Sequence, residues 1–480
     1  MTATNAYSQH DLAREFGELL KPENIIVDAE TQKPYECDGL AVYCEMPLLV
    51  VLPETVEEVC GIMKVCHRHG VPVVARGAGT GLCAGAMPHA EGVVLSLAKL
   101  NRILHIDRTA RLAKVECGVT NLAISQAVEQ AGLYYGPDPS SQIACTIGGN
   151  VAENSGGVHC LKYGLTVHNI VAVDIVTVEG ELLTLGCDAL DSPGLDLMAL
   201  ITGSEGLLGV TVAVTVKLLP RPEMARVVMA GFPVLKQAGD AVAAVIAAGI
   251  IPAGLEMMDS LAIQAAEDFA KAGYPVDVEA LLLCEVDGSF EEVEDHAHKV
   301  EQLFITMGAT TVRISHDEAE RTLLWKGRKS AFPAVGRISA DYYCMDGTIP
   351  RGQVSHVLAE IARMADTYGL RVANVFHAGD GNLHPLILFD ANVEGQLHSA
   401  EALGGDILKL CVDVGGCITG EHGVGVEKLR QMPHQFTESE IAQFHAIKAA
   451  FDPCGTLNPG KGIPTLRQCQ EYRALDSGVA

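Results

Sequence analysis

The sequence predicts an α+β protein of two domains, and three features of the 480-residue chain support this fold class. The first half alternates short apolar strands with amphipathic helices, as α/β layer structures do. The second half contains helix–strand pairs, which favour an antiparallel sheet backed by helices. Leu219–Pro222 reads Leu-Pro-Arg-Pro and interrupts the strand pattern, so we place the domains at 1–222 and 223–480.

The first domain begins with a predicted strand–helix–strand unit. Leu48–Leu52 reads as a strand, and Thr55 with Glu58 forms a capping box at the start of a helix that continues to His67–Gly70. Val71–Val74 is the next strand. Two strands joined through a helix in about thirty residues are typically parallel. Further strands are predicted at 92–97, 112–115, 170–178 and 211–218.

In the second domain, apolar spacing predicts the helices Gln237–Ala248 and Glu291–Met307, with a strand at Ala280–Val286 between them. Val354–Phe376 reads as another helix–strand pair. A helix at Thr437–Ala450 then leads into a glycine- and proline-rich turn. These elements predict an α+β cap with an antiparallel sheet.

The charge balance excludes several classes of function. The chain has 34 Lys and Arg against 60 Asp and Glu, a net charge of −26, and 48% hydrophobic residues. So apolar a chain is not a disordered acidic tail, and its negative field opposes binding to nucleic acids and anionic membranes. A small anionic substrate would therefore need a local positive group.

Targeting and cysteine patterns favour a cytoplasmic protein. The first 20 residues lack the pattern of a signal peptide, and the most apolar stretch, Ala241–Leu255, is too short and too interrupted to span a bilayer. The 15 cysteines include no C-x-x-C pair, so no iron–sulfur cluster or redox motif is predicted in this chain.

Three glycine-rich loops indicate a cofactor site in the first domain. They are Arg76–Gly81, Pro137–Gly157 and Gly203–Gly209. Clustered glycines let backbone N–H groups converge on an anion, although the first loop alone could equally be a plain turn. Leu82 replaces the third glycine of G-x-G-x-x-G, which argues against an NAD fingerprint. Three cradles favour an extended, pyrophosphate-bearing cofactor.

These loops, followed by Lys162–Gly164, resemble the FAD-binding domain of the vanillyl-alcohol oxidase/p-cresol methylhydroxylase (PCMH) superfamily, and the second half resembles its FAD-linked oxidase domain. The resemblance runs from about Pro47 to Lys461. It is strongest to the branch that contains glycolate oxidase, D-lactate dehydrogenase and D-2-hydroxyglutarate dehydrogenase. It implies a PCMH-type domain of two α/β subdomains followed by an oxidase domain whose C-terminal segment returns to the flavin.

The resemblance also implies which residues hold the FAD, and no matched histidine suggests covalent attachment, so we expect noncovalent FAD. The implied cofactor residues are Arg76, Gly77, Gly79, Thr80, Gly81, Pro137, Ser141, Thr146, Gly148, Gly149, Ala152, Asn154, Gly157, Glu205, Gly206, Val210 and Asn458.

A histidine pair in the second domain suggests a metal site. Asp380-Gly381 lies between two apolar runs and predicts a two-residue hairpin turn. In that register His377 faces His384, close enough for both imidazoles to bind one cation. Glu421, within a glycine-rich segment, offers a third ligand. Such a set suits Zn²⁺, Mn²⁺ or Fe²⁺, and the sequence does not choose between them.

The resemblance implies the same metal ligands, His377, His384 and Glu421, and makes His422 the catalytic base. It also makes Arg328 the holder of the substrate carboxylate, a role that suits a bidentate guanidinium. We further predict that Tyr343 and Asn382 contact the substrate. The 2-hydroxyglutarate relatives carry a lysine in the strand near Tyr343, and its absence here favours a short monocarboxylate.

The reaction implied is oxidation of a short α-hydroxy acid, glycolate or D-lactate, to the 2-oxo acid by hydride transfer to the flavin. The alternatives are a D-lactate or D-2-hydroxyglutarate dehydrogenase and a flavoprotein subunit without catalytic activity. The resemblance also implies a second flavin-type subunit and an iron–sulfur subunit as partners. Through them the chain would associate peripherally with the inner membrane.

Overall fold

A computed structural model describes residues 7–189 and 194–465, which form two compact units. Unit 1 contains the chain up to Gly156, then Leu165–Pro220 and the residues from Glu421 onward; unit 2 contains Gly157–Gly164 and Arg221–Gly420. The chain passes from unit 1 to unit 2 after Pro220, two residues before the domain boundary expected at 222. The C-terminal segment, however, belongs with the first unit. Residues 1–6 and 466–480, at the ends of the expected domains, lie outside the described residues, as does Cys469.

The first sheet of unit 1 has four strands and is mainly parallel. Val93–Ser96 is fully buried and pairs in parallel with Leu49–Val51 on one side and Val73–Arg76 on the other. The predicted parallel arrangement is confirmed, and Val93–Ser96 lies between the two predicted strands. Ile25–Ile26 adds an antiparallel edge.

The helix Val56–His69 connects two strands of this sheet and packs its apolar residues on it. Thr55 and Glu58 form the predicted capping box, and Gly70 ends the helix in a left-handed conformation with φ 64°. The strand Val73–Arg76 therefore begins directly after a fixed helix end, and the first glycine loop follows it.

The second sheet of unit 1 is antiparallel, and its core is separate from that of the first sheet. Its strands, in spatial order, are Ile103–Asp107, Leu112–Glu116, Val210–Lys217, Ile170–Val176 and Leu182–Gly186. The further helices of this unit with seven or more residues are Gln9–Phe16, Asn121–Val128, Ile147–Glu153 and Glu438–Phe451. A capping box of Thr437 and Glu440 begins the last of these.

Unit 2 contains a seven-stranded antiparallel sheet with helices packed on it, as the sequence predicted. Its strands, in spatial order, are Thr311–Ile314, Met224–Phe232, Ala280–Gly288, Gly254–Asp259, Arg371–Phe376, Pro385–Phe389 and Asp341–Cys344. The helices of eight or more residues are Leu235–Ala247, Ser260–Ala270, Phe290–Thr306, Glu318–Lys329, Val354–Tyr368 and Gln396–Asp413.

The short segment Gly157–Gly164 belongs to unit 2 because polar side chains fix it to the strand Ala280–Gly288. Lys162 Nζ contacts Asp287 Oδ1 at 2.5 Å, and Tyr163 Oη donates a 2.6 Å hydrogen bond to the other oxygen of Asp287. Within the described residues, no helix is both long enough and apolar enough to span a membrane.

Candidate functional site

In unit 1, the three glycine-rich loops meet one another. A methyl group added to Gly77 would lie 2.3 Å from Thr146 Oγ1, so the first loop packs directly against the second. The third loop joins the second through a hydrogen bond from Glu205 N–H to Ala152 O of 2.8 Å. The structure therefore brings together residues that are far apart in the sequence and were predicted to share a cofactor.

Thr146 carries a buried hydroxyl that makes no hydrogen bond with any of the described residues. It precedes the helix Ile147–Glu153, but its side chain does not cap that helix. Gly77 and Gly149 both approach this oxygen. A buried hydroxyl without a partner costs free energy, so a hydroxyl between two glycines fits a phosphate oxygen of a bound cofactor.

Glu205 holds a tight turn of the C-terminal segment. Its two carboxylate oxygens accept hydrogen bonds of 2.7 Å from the backbone N–H groups of Val424 and Gly425. Burial raises the pKa of Glu205, although these two bonds oppose the shift. Gly425 has φ 50°, and a methyl group there would lie 2.0 Å from Cys83 O, so the turn requires glycine.

The same turn carries two predicted functional residues. Glu421 accepts a 3.0 Å hydrogen bond from the backbone N–H of Gly156, at the end of the second glycine loop. His422 follows it and is half-buried. Both residues belong to unit 1, whereas the predicted metal ligands His377 and His384 belong to unit 2.

The segment of unit 1 that contains Asn458 and Lys461 returns to the first sheet and the loops. Asn458 donates hydrogen bonds to Gly85 O at 3.1 Å and to Glu205 O at 2.7 Å. Lys461 is buried and donates to Asn458 Oδ1 at 2.7 Å and to Met87 O. Burial lowers the pKa of Lys461 to about 8, although nearby acidic groups oppose this.

The other predicted cofactor residues lie on the same loops of unit 1, with two exceptions. Arg76 ends its strand and donates a 2.7 Å hydrogen bond to Cys37 O, and Asn154 ends its helix with φ 54°. Gly157 belongs to unit 2, and Val210 begins the strand Val210–Lys217 directly after the third loop. The positions on the loops of unit 1 are Gly79, Thr80, Gly81, Pro137, Ser141, Gly148 and Gly206.

In unit 2, one buried carboxylate links two predicted functional residues. Glu256 Oε1 lies 2.7 Å from His377 Nδ1, and Glu256 Oε2 lies 2.6 Å from Arg328 Nη2. All three residues are buried. Burial opposes ionisation of Glu256 most strongly, but the interactions of its carboxylate with His377 and Arg328 outweigh burial and lower the pKa of Glu256. The sequence did not point to Glu256.

The predicted hairpin register is wrong by two residues. His377 pairs with Asn382 rather than with His384, and the turn is closed by a 3.0 Å hydrogen bond from Gly381 N–H to His377 O. Gly379 N–H bonds to Leu255 O of a neighbouring strand, at 2.9 Å, and this contact holds a longer loop open. The two imidazoles still adjoin, with ring centroids 5.1 Å apart and planes nearly perpendicular.

Asp346 is a second buried carboxylate in this cluster that the sequence did not indicate. It accepts a 2.8 Å hydrogen bond from Asn382 Nδ2 and a 2.7 Å bond from Thr419 Oγ1, and its Oδ1 lies 4.0 Å from His384 Nδ1. Contacts therefore link Arg328 through the two histidines to Asn382. Tyr343, predicted to contact substrate, is buried on the strand that pairs with Pro385–Phe389.

One signal could have indicated both carboxylates. Glu256 stands in the apolar run Gly-Leu-Glu-Met-Met, and Asp346 follows Tyr-Tyr-Cys-Met. An acidic residue inside or just after a mostly apolar run is buried only when a cation or a donor faces it. The pattern marks such a residue, but it does not identify the partner.

Chemically, the cluster in unit 2 can hold both a cation and an anion. A carboxylate can only accept, so the proton of His377 lies on Nδ1, and Nε2 keeps the lone pair that a divalent cation requires. Arg328 Nε is buried with no hydrogen-bond partner among the described residues, so this guanidinium retains a donor for a bound anion.

Glycine-rich loops that fit a phosphate group in one unit, with a buried cluster of charged side chains in the other, fit the class of FAD-linked oxidoreductases. Comparison with protein families agrees: residues 47–186 match the model described as "FAD binding domain", and residues 221–462 match "FAD linked oxidases, C-terminal domain". The chain belongs to this family of FAD-linked oxidases.

Similar proteins include subunits of a named enzyme. "Glycolate oxidase subunit GlcD" of Escherichia coli K12 is 64% identical over 92% of this chain and 89% of its own length. "D-lactate dehydrogenase" of Anaerostipes hadrus is 31% identical over 94% of this chain and 97% of its own length. The crystal structure of p-cresol methylhydroxylase shares the fold, with a TM-score of 0.79, 19% identity, and coverage of 95% of this chain and 97% of that one.

Proposed function

We propose that this chain oxidises a short 2-hydroxy acid, glycolate in the first place, to the 2-oxo acid. The observation that carries the proposal is the buried cluster of unit 2. In it, Arg328 Nε has no hydrogen-bond partner among the described residues, and Glu256 joins this guanidinium to His377, whose imidazole adjoins that of His384. A hydroxy acid needs such a combination, because its carboxylate and its hydroxyl oxygen require different partners. The similarity to the glycolate oxidase subunit supports the same substrate.

In this proposal each residue has one task. Arg328 donates to the substrate carboxylate, and His377 and His384 bind a divalent cation, with Glu421 as the third ligand predicted from the sequence. His422 accepts the hydroxyl proton. When bound, FAD supplies a two-electron acceptor and the cation supplies a Lewis acid that lowers the pKa of the hydroxyl.

The substrate is proposed to carry one carboxylate. In the strand Asp341–Cys344 and the residues that follow to Gly347, no lysine is present to pair with a second carboxylate. With a net charge of −26, the protein would attract a dicarboxylate less than a monocarboxylate. D-lactate is the second candidate, because a D-lactate dehydrogenase is among the relatives.

Anaerobic flavin reduction tests the function. We expect glycolate to bleach the FAD absorbance, with D-lactate slower and D-2-hydroxyglutarate slowest. His422→Ala should keep its FAD and lose reduction by at least about 100-fold, the lower range for a general base. His398→Ala, at an exposed helical position, is the matched control and should reduce normally. Full reduction in His422→Ala would exclude His422 as the base.

The electrons are proposed to leave the chain through partner subunits. The relative is named as a subunit, and this sequence contains no C-x-x-C motif for a cluster of its own. We propose a second flavin-type subunit and an iron–sulfur subunit as partners, and we propose that this chain lies in the cytoplasm and associates with the inner membrane through them.

We also propose that the FAD is bound noncovalently. Denaturation should then release free FAD, and flavin that stays with the precipitated protein would contradict noncovalent binding.

A further inference from the structure

Glu256 lies near the middle of the seven-stranded sheet, on the strand Gly254–Asp259. The neighbouring strand pairs Phe376 with Met257, and the next step of this register brings His377 beside Glu256. Glu256 is 1% exposed, and Arg328 reaches it from the helix Glu318–Lys329. Three separate elements therefore converge on one carboxylate.

Each oxygen of this carboxylate has its own partner. One oxygen faces His377 Nδ1 at 2.7 Å, and the other faces Arg328 Nη2 at 2.6 Å. Because the oxygens are fixed relative to each other, the orientation of the imidazole and that of the guanidinium are tied together. The imidazole is turned so that Nε2 points away from Glu256.

The same sheet contains a second carboxylate with similar partners. Glu285, on the adjacent strand, accepts from His159, from Arg321 at 2.7 Å and from Trp325. These partners lower the pKa of Glu285 to about 2 in spite of burial. Lys162, three residues from His159, also contacts the strand Ala280–Gly288, which carries Glu285. His159 and Lys162 together therefore fix the segment Gly157–Gly164 to this strand. Glu285 provides a structural counterpart to Glu256.

We propose that Glu256 is a positioning residue that sets the geometry of both the cation ligand His377 and the anion ligand Arg328. The inference rests on the proposed function, because it assumes that His377 binds a divalent cation. Metal-bound histidines commonly donate their second ring N–H to a carboxylate, and such partners raise metal affinity by about 10- to 100-fold.

Glu256 could instead serve only to neutralise the buried charge of Arg328. Two variants separate these roles. Glu256→Asp keeps the charge but is one methylene shorter, so one carboxylate no longer spans both partners. Glu256→Gln keeps the shape but loses the charge, and its amide can accept from only one of them.

The experiment measures metal affinity rather than turnover. FAD-loaded protein is stripped with a chelator and titrated with Zn²⁺ and, separately, with Mn²⁺. We expect a fall in affinity of about 10- to 100-fold in both Glu256 variants. Glu285→Gln is the matched control and should bind either ion within about twofold of wild type, while its Trp325 fluorescence changes. At saturating metal, the KM for glycolate should rise in Glu256→Gln, because Arg328 loses its fixed partner.

Each contrary result has a defined meaning. Wild-type affinity in folded, FAD-loaded Glu256→Asp would overturn the positioning role, because charge alone would then suffice. Equal losses in the Glu256 and Glu285 variants would also overturn it, since the effect would be general destabilisation. A wild-type protein that binds neither ion, while glycolate still bleaches its flavin, would overturn the inference and leave the proposed oxidation standing.

Discussion

The candidate sites of the two units hold buried charge in different ways. In unit 1 the carboxylate of Glu205 is held by backbone N–H groups, and the cofactor cradle is made of glycines packed at close range. In unit 2 the charges of Glu256 and Glu285 are balanced by histidine and arginine side chains from other elements. The cofactor loops of unit 1 therefore depend on the small volume of glycine, whereas the cluster of unit 2 depends on the charge of its side chains. Substitutions should therefore affect the units differently.

The largest effect is expected from removing the buried cation of unit 2. Arg328→Met leaves Glu256 with a single partner, and breaking a buried ion pair in this way costs about 3–5 kcal/mol. The single tryptophan, Trp325, lies in unit 2, so its fluorescence during urea denaturation measures the decrease in the free energy of unfolding of that unit.

Arg321→Met, on the same helix, is the comparison for Arg328→Met. Arg321 pairs with Glu285 but is partly exposed, and Glu285 keeps His159 and Trp325. Arg321→Met should therefore lower the free energy of unfolding less than Arg328→Met does. Equal losses for the two variants would mean that burial of the guanidinium does not decide the cost.

The next effect concerns the pH dependence of unit 1. The pKa of Lys461 is about 8 in the folded protein and its ordinary value is 10.5, so between these pH values the unfolded chain binds more protons. Stability from this group should rise as pH increases from about 8 to 10.5, by on the order of 3 kcal/mol. We expect this rise, measured as urea-induced release of FAD, to be weaker in Lys461→Met. Identical pH profiles for the wild-type protein and Lys461→Met would contradict the assignment of this pH dependence to Lys461.

The smallest of these effects is steric. Gly77→Ala places a methyl group against Thr146 Oγ1, and overpacking of this kind costs about 2 kcal/mol. The free energy of unfolding of unit 1, measured without FAD, should fall by this amount, and Thr146→Ala in the same chain should restore part of it. Gly352→Ala is the control, since none of the described residues lies within 4 Å of its added methyl group. The comparison fails if the double variant is no more stable than Gly77→Ala.

The sequence was sufficient wherever a structure depends on neighbours in the chain. The capping box at Thr55, the helical pattern after Thr437 and the glycine-rich segments are local signals, and the structure contains the corresponding helices and loops. The antiparallel sheet of unit 2 was also predictable, because short helix–strand units alternate along that part of the chain.

The sequence failed where distant elements decide a local shape. The register of His377 depends on a hydrogen bond from Gly379 to Leu255, which no hairpin rule contains. The role of Glu256 depends on the pairing of its strand with the strand that precedes His377. For Arg328, the sequence indicated a cation but could not show that a buried carboxylate already holds one of its nitrogens.

The C-terminal part of unit 1 has a consequence for how the protein is made. Val73 N–H bonds to Thr456 O, and Asn458 N–H bonds to Val73 O, both at 2.8 Å. The ribosome synthesises Val73 early and Asn458 only after all of unit 2. The strand Val73–Arg76, which precedes the first glycine loop, therefore has one unpaired edge during the time in which residues 221–420 are synthesised and fold. During that interval the nascent chain exposes a β-edge prone to aggregation, so we expect its yield to depend on chaperones that shield such edges.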